Sequence, residues 1–178
     1  MVGKMKTIYE DLNKRFTMSG YKQQRDDLAF VTVDKDQLVN AITYLKDYHK
    51  FTHLAFVTAV DWLEENEFQI TYLLHNYELK VDLGLKVRLD RDNPTMDTIH
   101  HLWKQARVYQ RELHEMFGID FPGSPGVNDP MILESWEGPP PMRRDFDTKK
   151  YSEETYDHRE RQHIEPEDHL RKQLYPED

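Results

Sequence analysis

Cysteine is absent, so the chain can form no disulfide and no thiolate-held zinc or iron–sulfur site of its own. The seven glycines are dispersed, and neither a phosphate-binding loop nor a dinucleotide fingerprint can be written from them. Ser124 lies in Gly123-Ser124-Pro125-Gly126, a turn sequence rather than a nucleophile elbow. Long apolar runs are missing as well. The longest, Leu54 to Val60, is far short of the ~20 residues that span a bilayer. Met1 to Lys6 leads straight into an amphipathic segment, without the apolar stretch of a signal peptide. At a membrane, other subunits are expected to hold this chain. Basic clusters are limited to Arg143-Arg144 and Lys149-Lys150 in a chain of net charge -9, which argues against nucleic acid as the partner.

What is present divides unevenly. Hydrophobic residues make up 38% and charged residues 32%, a balance that suits a modest domain carrying a polar extension. Met5, Ile8, Leu12 and Phe16 recur at helical spacing, with Gly20 as the stop. Leu28–Val33 reads as a strand. Asp34 then stands as a helix N-cap answered by Gln37, and Leu38, Ile42, Leu45 and Tyr48 line one face of the helix that follows.

Three strands come next. His53–Leu63 is apolar on both sides, as expected near the centre of a sheet. Phe68, Ile70, Tyr72 and Leu74 alternate with more polar neighbours. Leu79, Val81, Leu83, Leu85, Val87 and Leu89 alternate even more cleanly with Lys80, Asp82, Gly84, Lys86, Arg88 and Asp90. Pro94 breaks the pattern, and a helix is expected over 97–117. Its apolar face carries Ile99, Leu102, Trp103, Ala106, Leu113, Met116 and Phe117; its polar face carries Arg107, Arg111, Glu112 and Glu115. Gly118 closes it. Pro and Gly dominate 122–146, and charge dominates 147–178.

Candidate chemistry is sparse. His49 and His53 straddle a helix end, His100 and His101 point apart on a helix, and His158, His163 and His169 sit in the charged tail. Solvated histidines are the better reading. Glu112 and Glu115 share a helix face and could in principle do acid–base work. An Arg111–Glu115 ion pair, worth about 0.2–0.5 kcal/mol, explains them more simply.

Two motifs carry a resemblance. Tyr109-Gln110-Arg111-Glu112-Leu113-His114-Glu115-Met116-Phe117-Gly118-Ile119-Asp120-Phe121 is similar to the E-R-E-x-Y-D-M-F-G-I-x-F signature of the thirty-kilodalton subunit family of NADH:quinone oxidoreductase (complex I). Trp136-Glu137-Gly138-Pro139-Pro140-Pro141-Met142-Arg143-Arg144-Asp145-Phe146 resembles that family's E-G-H-P-L-R-K-D-F. Gln110 stands where the family has Glu, His114 where it has Tyr, Glu115 where it has Asp, and Ser124 where it has His. Such drift marks a divergent branch.

The resemblance implies an α+β fold: a two-layer domain over 1–121 with a mixed or antiparallel sheet packed against helices. A partner-contacting segment over 122–146 and an extended charged tail over 147–178 follow. It implies a non-catalytic peripheral subunit on the cytoplasmic side of the cell membrane, supporting electron transfer and ion translocation by the assembly. The partners implied are a quinone-site or hydrogenase-like large subunit and a cluster-bearing small subunit, with flavin and iron–sulfur clusters held there and no cofactor in this chain. Arg111, Glu112, Glu115, Gly118, Glu137, Gly138, Arg143, Arg144 and Asp145 are the residues it points to for partner binding, with Arg143 and Arg144 as anchors. The equivalent subunit of a membrane-bound hydrogenase is a second reading. A freestanding hydrolase using Glu112, Glu115 or a histidine cluster is a third, of a different class.

Overall fold

The computed structural model describes residues 2–156 and 166–175, which divide into one unit over 1–146 and another over 147–178. The first unit begins with helix α1 (Val2–Asn13), whose Met5, Ile8 and Leu12 recur at helical spacing and are buried. Strand β1 (Met18–Arg25) follows, where only a helix stop was expected. Gly20, with φ of 62°, sits beside a register shift in β1 rather than closing a helix. The strand's sequence, MSGYKQQR, is almost wholly polar because it lies at a sheet edge.

Strand β2 (Leu28–Val33) pairs with β1. Asp34 makes no side-chain cap, and Gln37 instead accepts the Thr17 N–H at 2.6 Å. Helix α2 (Leu38–Asp47) buries Leu38, Ala41, Ile42 and Leu45, while Tyr48 caps its end in solvent and stacks on Tyr44. Strands β3 (His53–Trp62), β4 (Glu67–Asn76) and β5 (Val81–Asp90) form an antiparallel meander. β5 then pairs in parallel with β2, so the order is β1-β2-β5-β4-β3.

The sheet is therefore mixed, and β5 is its central strand. β3, read as central from its two apolar sides, is at the edge. Its inward residues Leu54, Val57 and Ala59 are buried, but Phe56, Val60 and Trp62 on the opposite face remain well exposed. A register shift between Leu54 and Phe56 explains why Leu54 and Val57 share a face at odd spacing.

One face of the sheet carries the core. Phe68, Ile70, Tyr72 and Leu74 of β4 lie opposite Leu89, Val87, Leu85 and Leu83 of β5, all of them buried. Helix α3 occupies only Ala106–Phe117, not the whole of 97–117. The preceding residues are drawn out of helical geometry by tertiary hydrogen bonds. Met96 N–H donates to Asp120 O at 2.9 Å and Asp120 N–H to Pro94 O at 2.7 Å. Trp103 Nε1 donates to Thr52 O at 2.9 Å, and Lys46 Nζ to Leu102 O at 2.8 Å.

Residues 122–146, largely irregular, belong to the first unit. In the second, Asp147 caps α4 (Thr148–Thr155) by accepting the Lys150 N–H at 3.0 Å, and α5 (Pro166–Leu174) is a further short helix. Their helicity was not read from the sequence. α4 buries no residue, in keeping with its charge.

Candidate partner interface

The two motifs meet at α3. Its exposed face carries a strap, residues 122–146, held by backbone bonds from helix side chains. Arg111 Nε donates to Asp129 O at 2.7 Å, and its guanidinium also reaches Pro130 O. One turn on, the Glu115 carboxylate accepts three successive N–H groups, those of Met131 at 2.9 Å, Ile132 at 3.1 Å and Leu133 at 2.9 Å. Burial alone would push the Glu115 carboxyl up, but the three N–H donors and the nearby Arg111 together hold it below its ordinary range. The simple Arg111–Glu115 ion pair read from spacing is replaced by these two separate grips on the strap.

At the end of α3, Gly118 turns left-handed with φ of 73° and N–H bonds back to the last turn. A Cβ there would lie 2.9 Å from Arg143 Nη2 and 3.1 Å from Pro140 Cγ, so the missing side chain also makes room for the second motif. Arg143 Nε donates to Phe117 O at 2.7 Å, placing a cation at the negative end of the helix, and its guanidinium lies over the Phe68 ring. Met142 N–H donates to Met116 O at 3.0 Å.

The strap's end is pinned by charges from the sheet. Asp61 and Arg91 are both buried and paired through Nε at 2.9 Å and Nη2 at 3.2 Å. Arg91 Nη2 also donates to Asp145 Oδ1 at 2.6 Å, which holds the Asp145 carboxyl below its usual value. Arg144 N–H donates to Asp61 Oδ2 at 2.8 Å, and its side chain makes a two-pronged pair with Glu64 at 2.5 and 2.9 Å. Gly138 leaves space for the Trp136 ring, whose Nε1 donates to Pro139 O at 3.0 Å.

Of the nine residues singled out from the motifs, Arg111, Glu115, Gly118, Gly138, Arg143, Arg144 and Asp145 thus build the strap and its seat. Glu112 is half-buried and Glu137 exposed, with no side-chain bond among the described residues. Sequence reasoning missed Asp61, Glu64, Arg91 and Gln110. An acid at an inward position of an otherwise apolar strand was the available signal for Asp61. Gln110 is fully buried on α3, where its Oε1 accepts Thr98 Oγ1 and Ser124 Oγ, each at 2.8 Å.

No group of three His, Asp or Glu side chains among the described residues could hold a metal ion. His158 and His163 lie outside the described residues. Among those described, no helix is long and apolar enough to cross a membrane.

This is a two-layer domain whose irregular strap is fastened by its two motifs, and both motifs lie within the stretch that matches a known family. Residues 31–152 match the family described as respiratory-chain NADH dehydrogenase, 30 Kd subunit, and the chain belongs to that family. The C subunit of the F(420)H(2) dehydrogenase of Methanosarcina mazei is 33% identical over 146 residues, covering 80% of this chain and 91% of the relative. The C subunit of the NADH-quinone oxidoreductase of Moorella thermoacetica is 33% identical over 120 residues, covering 67% and 80% respectively. A chain of the membrane-bound sulfane sulfur reductase, an archaeal respiratory membrane complex, superposes with a TM-score of 0.78 at 27% identity, covering 92% of this chain and 97% of its own. The chain is a divergent member of the family and a peripheral subunit of the complex I-type class of respiratory assemblies.

Proposed function

We propose that the chain is a non-catalytic structural subunit on the cytoplasmic side of such an assembly. It clamps a large quinone-site or hydrogenase-like subunit and a cluster-bearing small subunit, and the redox groups belong to those partners. The observation that carries the reading is the strap. Its backbone is held by Arg111, Glu115 and Asp61, and its Arg143 side chain is fastened to Phe117 O, yet Met131, Ile132 and Met142 point into solvent, Ile132 with 64% of its surface exposed. Apolar side chains on a pre-ordered backbone lose little conformational entropy on association. That is a poor design for an isolated molecule and a good one for a subunit.

The hydrolase reading finds little support in this geometry, because the Glu115 carboxylate is occupied by three backbone donors. The long matches to a chain of an F(420)H(2) dehydrogenase and to one of a sulfane sulfur reductase support an assembly whose electron donor need not be NADH.

An affinity-tagged full chain, purified from detergent-solubilised membranes, tests the reading. It should bring down cluster-bearing partners. Ile132→Asp with Met142→Asp should abolish that capture while leaving the circular dichroism spectrum of the chain unchanged. Recovery of the tagged chain alone, or of a redox group bound to the isolated chain, overturns it.

A further inference from the structure

We infer that the groove between the start of α3 and the Pro125–Gly126 turn receives an acidic, extended segment of a partner protein in the assembly. The inference rests on the structural role proposed above and adds a second contact to it, separate from the strap's apolar residues.

The groove has a volume of about 540 Å³ and is lined by His100, Lys104, Gln105, Arg107, Val108 and Pro125. It continues past Arg107 and Val108 into a smaller hollow of about 280 Å³ bordered by Arg111, Gly126 and Asp129. In a chain of net charge -9, a concentration of cations is a local exception. Lys104 and Arg107 are exposed and have no hydrogen-bond or ion-pair partner among the described residues. Arg111, one helical turn beyond Arg107, spends its donors on two neutral carbonyls. Like charges at that spacing repel on an isolated helix. A carboxylate seated against Arg107 would offset that repulsion, and Lys104 stands beside it as a second free cation. The groove's own acid, Asp129, stands at the far end, so the occupant's negative charge belongs over the Lys104–Arg107 end.

The floor decides what kind of anion fits. Val108 is 44% exposed, and Pro125 lies beside it. A free phosphate would satisfy the cations and leave this apolar floor wet. A polypeptide with carboxylates flanking an apolar side chain covers both. From Arg107 to Arg111 the helix advances roughly 6 Å, the reach of about two residues of extended peptide. Two free cations are far too few for a nucleic-acid track.

Lys104 supplies the test. In the assembled complex, a zero-length carbodiimide should join its amine to an Asp or Glu of a partner protein, identified by mass spectrometry of the cross-linked peptides. Lys104 should resist acetylation in the complex and accept it in the isolated chain. Lys104→Gln with Arg107→Gln, both exposed positions, should leave the fold intact and weaken retention in the complex several-fold at raised salt. Inorganic phosphate at matched ionic strength should not reproduce that loss; if it does, the groove binds small anions and the peptide assignment fails. A tagged chain that retains its partners while Lys104 is acetylated freely, or cross-links only within its own chain, overturns the groove alone. A tagged chain that retains no partner overturns both readings.

Discussion

Ser124 Oγ donates to Gln110 Oε1 at 2.8 Å, inside a site where Gln110 is fully buried. These are two of the positions at which the sequence departs from the family pattern, with Gln in place of Glu and Ser in place of His. The structure puts them in contact, so a neutral amide–hydroxyl pair stands at the two positions where the motif resemblance has Glu and His. Gln110 Nε2 has no hydrogen-bond partner among the described residues. The strap's first turn is tied to α3 through this pair, and the tie needs no charge.

Gln110→Glu therefore introduces a buried carboxylate whose direct hydrogen-bond partners, the Thr98 and Ser124 hydroxyls, carry no charge. Its cost at pH 7 is limited to about 4 kcal/mol, because beyond that the carboxyl takes up a proton and regains the shape of the amide. The deficit, measured as a denaturant midpoint, should shrink as pH falls toward the ordinary carboxyl range. Adding Ser124→His should restore part of it at pH 7, and a double-mutant cycle measures the coupling. Strictly additive effects of the two substitutions would refute the pairing.

Asp61 and Arg144 offer a contrast within one cluster. Asp61 is buried with Arg91, so Asp61→Asn leaves that guanidinium with Asp145 as its one remaining carboxylate among the described residues and should cost up to about 3–5 kcal/mol. It should also free the strap's end, exposing 140–146 to limited proteolysis. Arg144→Ala removes only an exposed pair with Glu64 while its own backbone N–H still reaches Asp61. The midpoint should barely move. If Arg144→Ala proves the more damaging, the strap is held from outside rather than by the buried pair.

How much of this was legible follows from where each constraint acts. β5 could be read outright because Val81 to Leu89 alternates and one face is buried along its whole length. β3 was placed at the sheet centre because Phe56, Val60 and Trp62 make its second face apolar, yet apolarity does not say whether this chain or another protein covers that face. β1 left no trace because an edge strand with little to bury has no hydrophobic period. The helix drawn from 97 fails before 106 because Pro94, Met96 and Asp120 take each other's backbone bonds. The strap motifs stood out in the sequence, but their seats did not. Arg144 and Asp61 are 83 residues apart, and no local pattern announces such a meeting.

Gly118 and Gly123 separate strain from crowding. Both have positive φ, 73° and 77°, but an added Cβ would meet Arg143 and Pro140 at position 118 and, among the described residues, nothing within 4 Å at position 123. Each Gly→Ala change should carry the left-handed cost of about 1–2 kcal/mol. Gly118→Ala should cost visibly more, and should loosen Arg143 from the end of α3. Equal midpoints for the two variants would mean that the second motif does not rest against Gly118.

Tyr72 is wholly buried at the heart of β4, and its hydroxyl has no hydrogen-bond partner among the described residues. Burial, with a smaller contribution from Asp97, pushes the phenol above its ordinary value. Tyr72→Phe keeps the ring and deletes the stranded oxygen, so thermal stability should hold or rise. A clear loss would show that the hydroxyl has an ordered water or another partner.

Glu115 makes the strap acid-sensitive in a predictable direction. Its carboxyl is held below the ordinary 4.5, because the N–H groups of Met131, Leu133 and Ile132, with Arg111, together outweigh the opposing effect of burial. A depressed carboxyl stabilises the fold fully above its unfolded value, and that contribution disappears as pH falls through the lower, folded value. Between about pH 7 and about pH 3 the wild-type chain should lose stability faster than Glu115→Gln, which has no such proton to take up. The same acid range should open the strap around Met131–Leu133 to hydrogen exchange before the sheet, whose ladder of backbone hydrogen bonds uses no carboxylate. Asp145, also depressed by its bond to Arg91, titrates in both proteins and cancels in the comparison. A stability difference between wild type and Glu115→Gln that stays constant across this range would show that the carboxylate's charge plays no part in holding the strap.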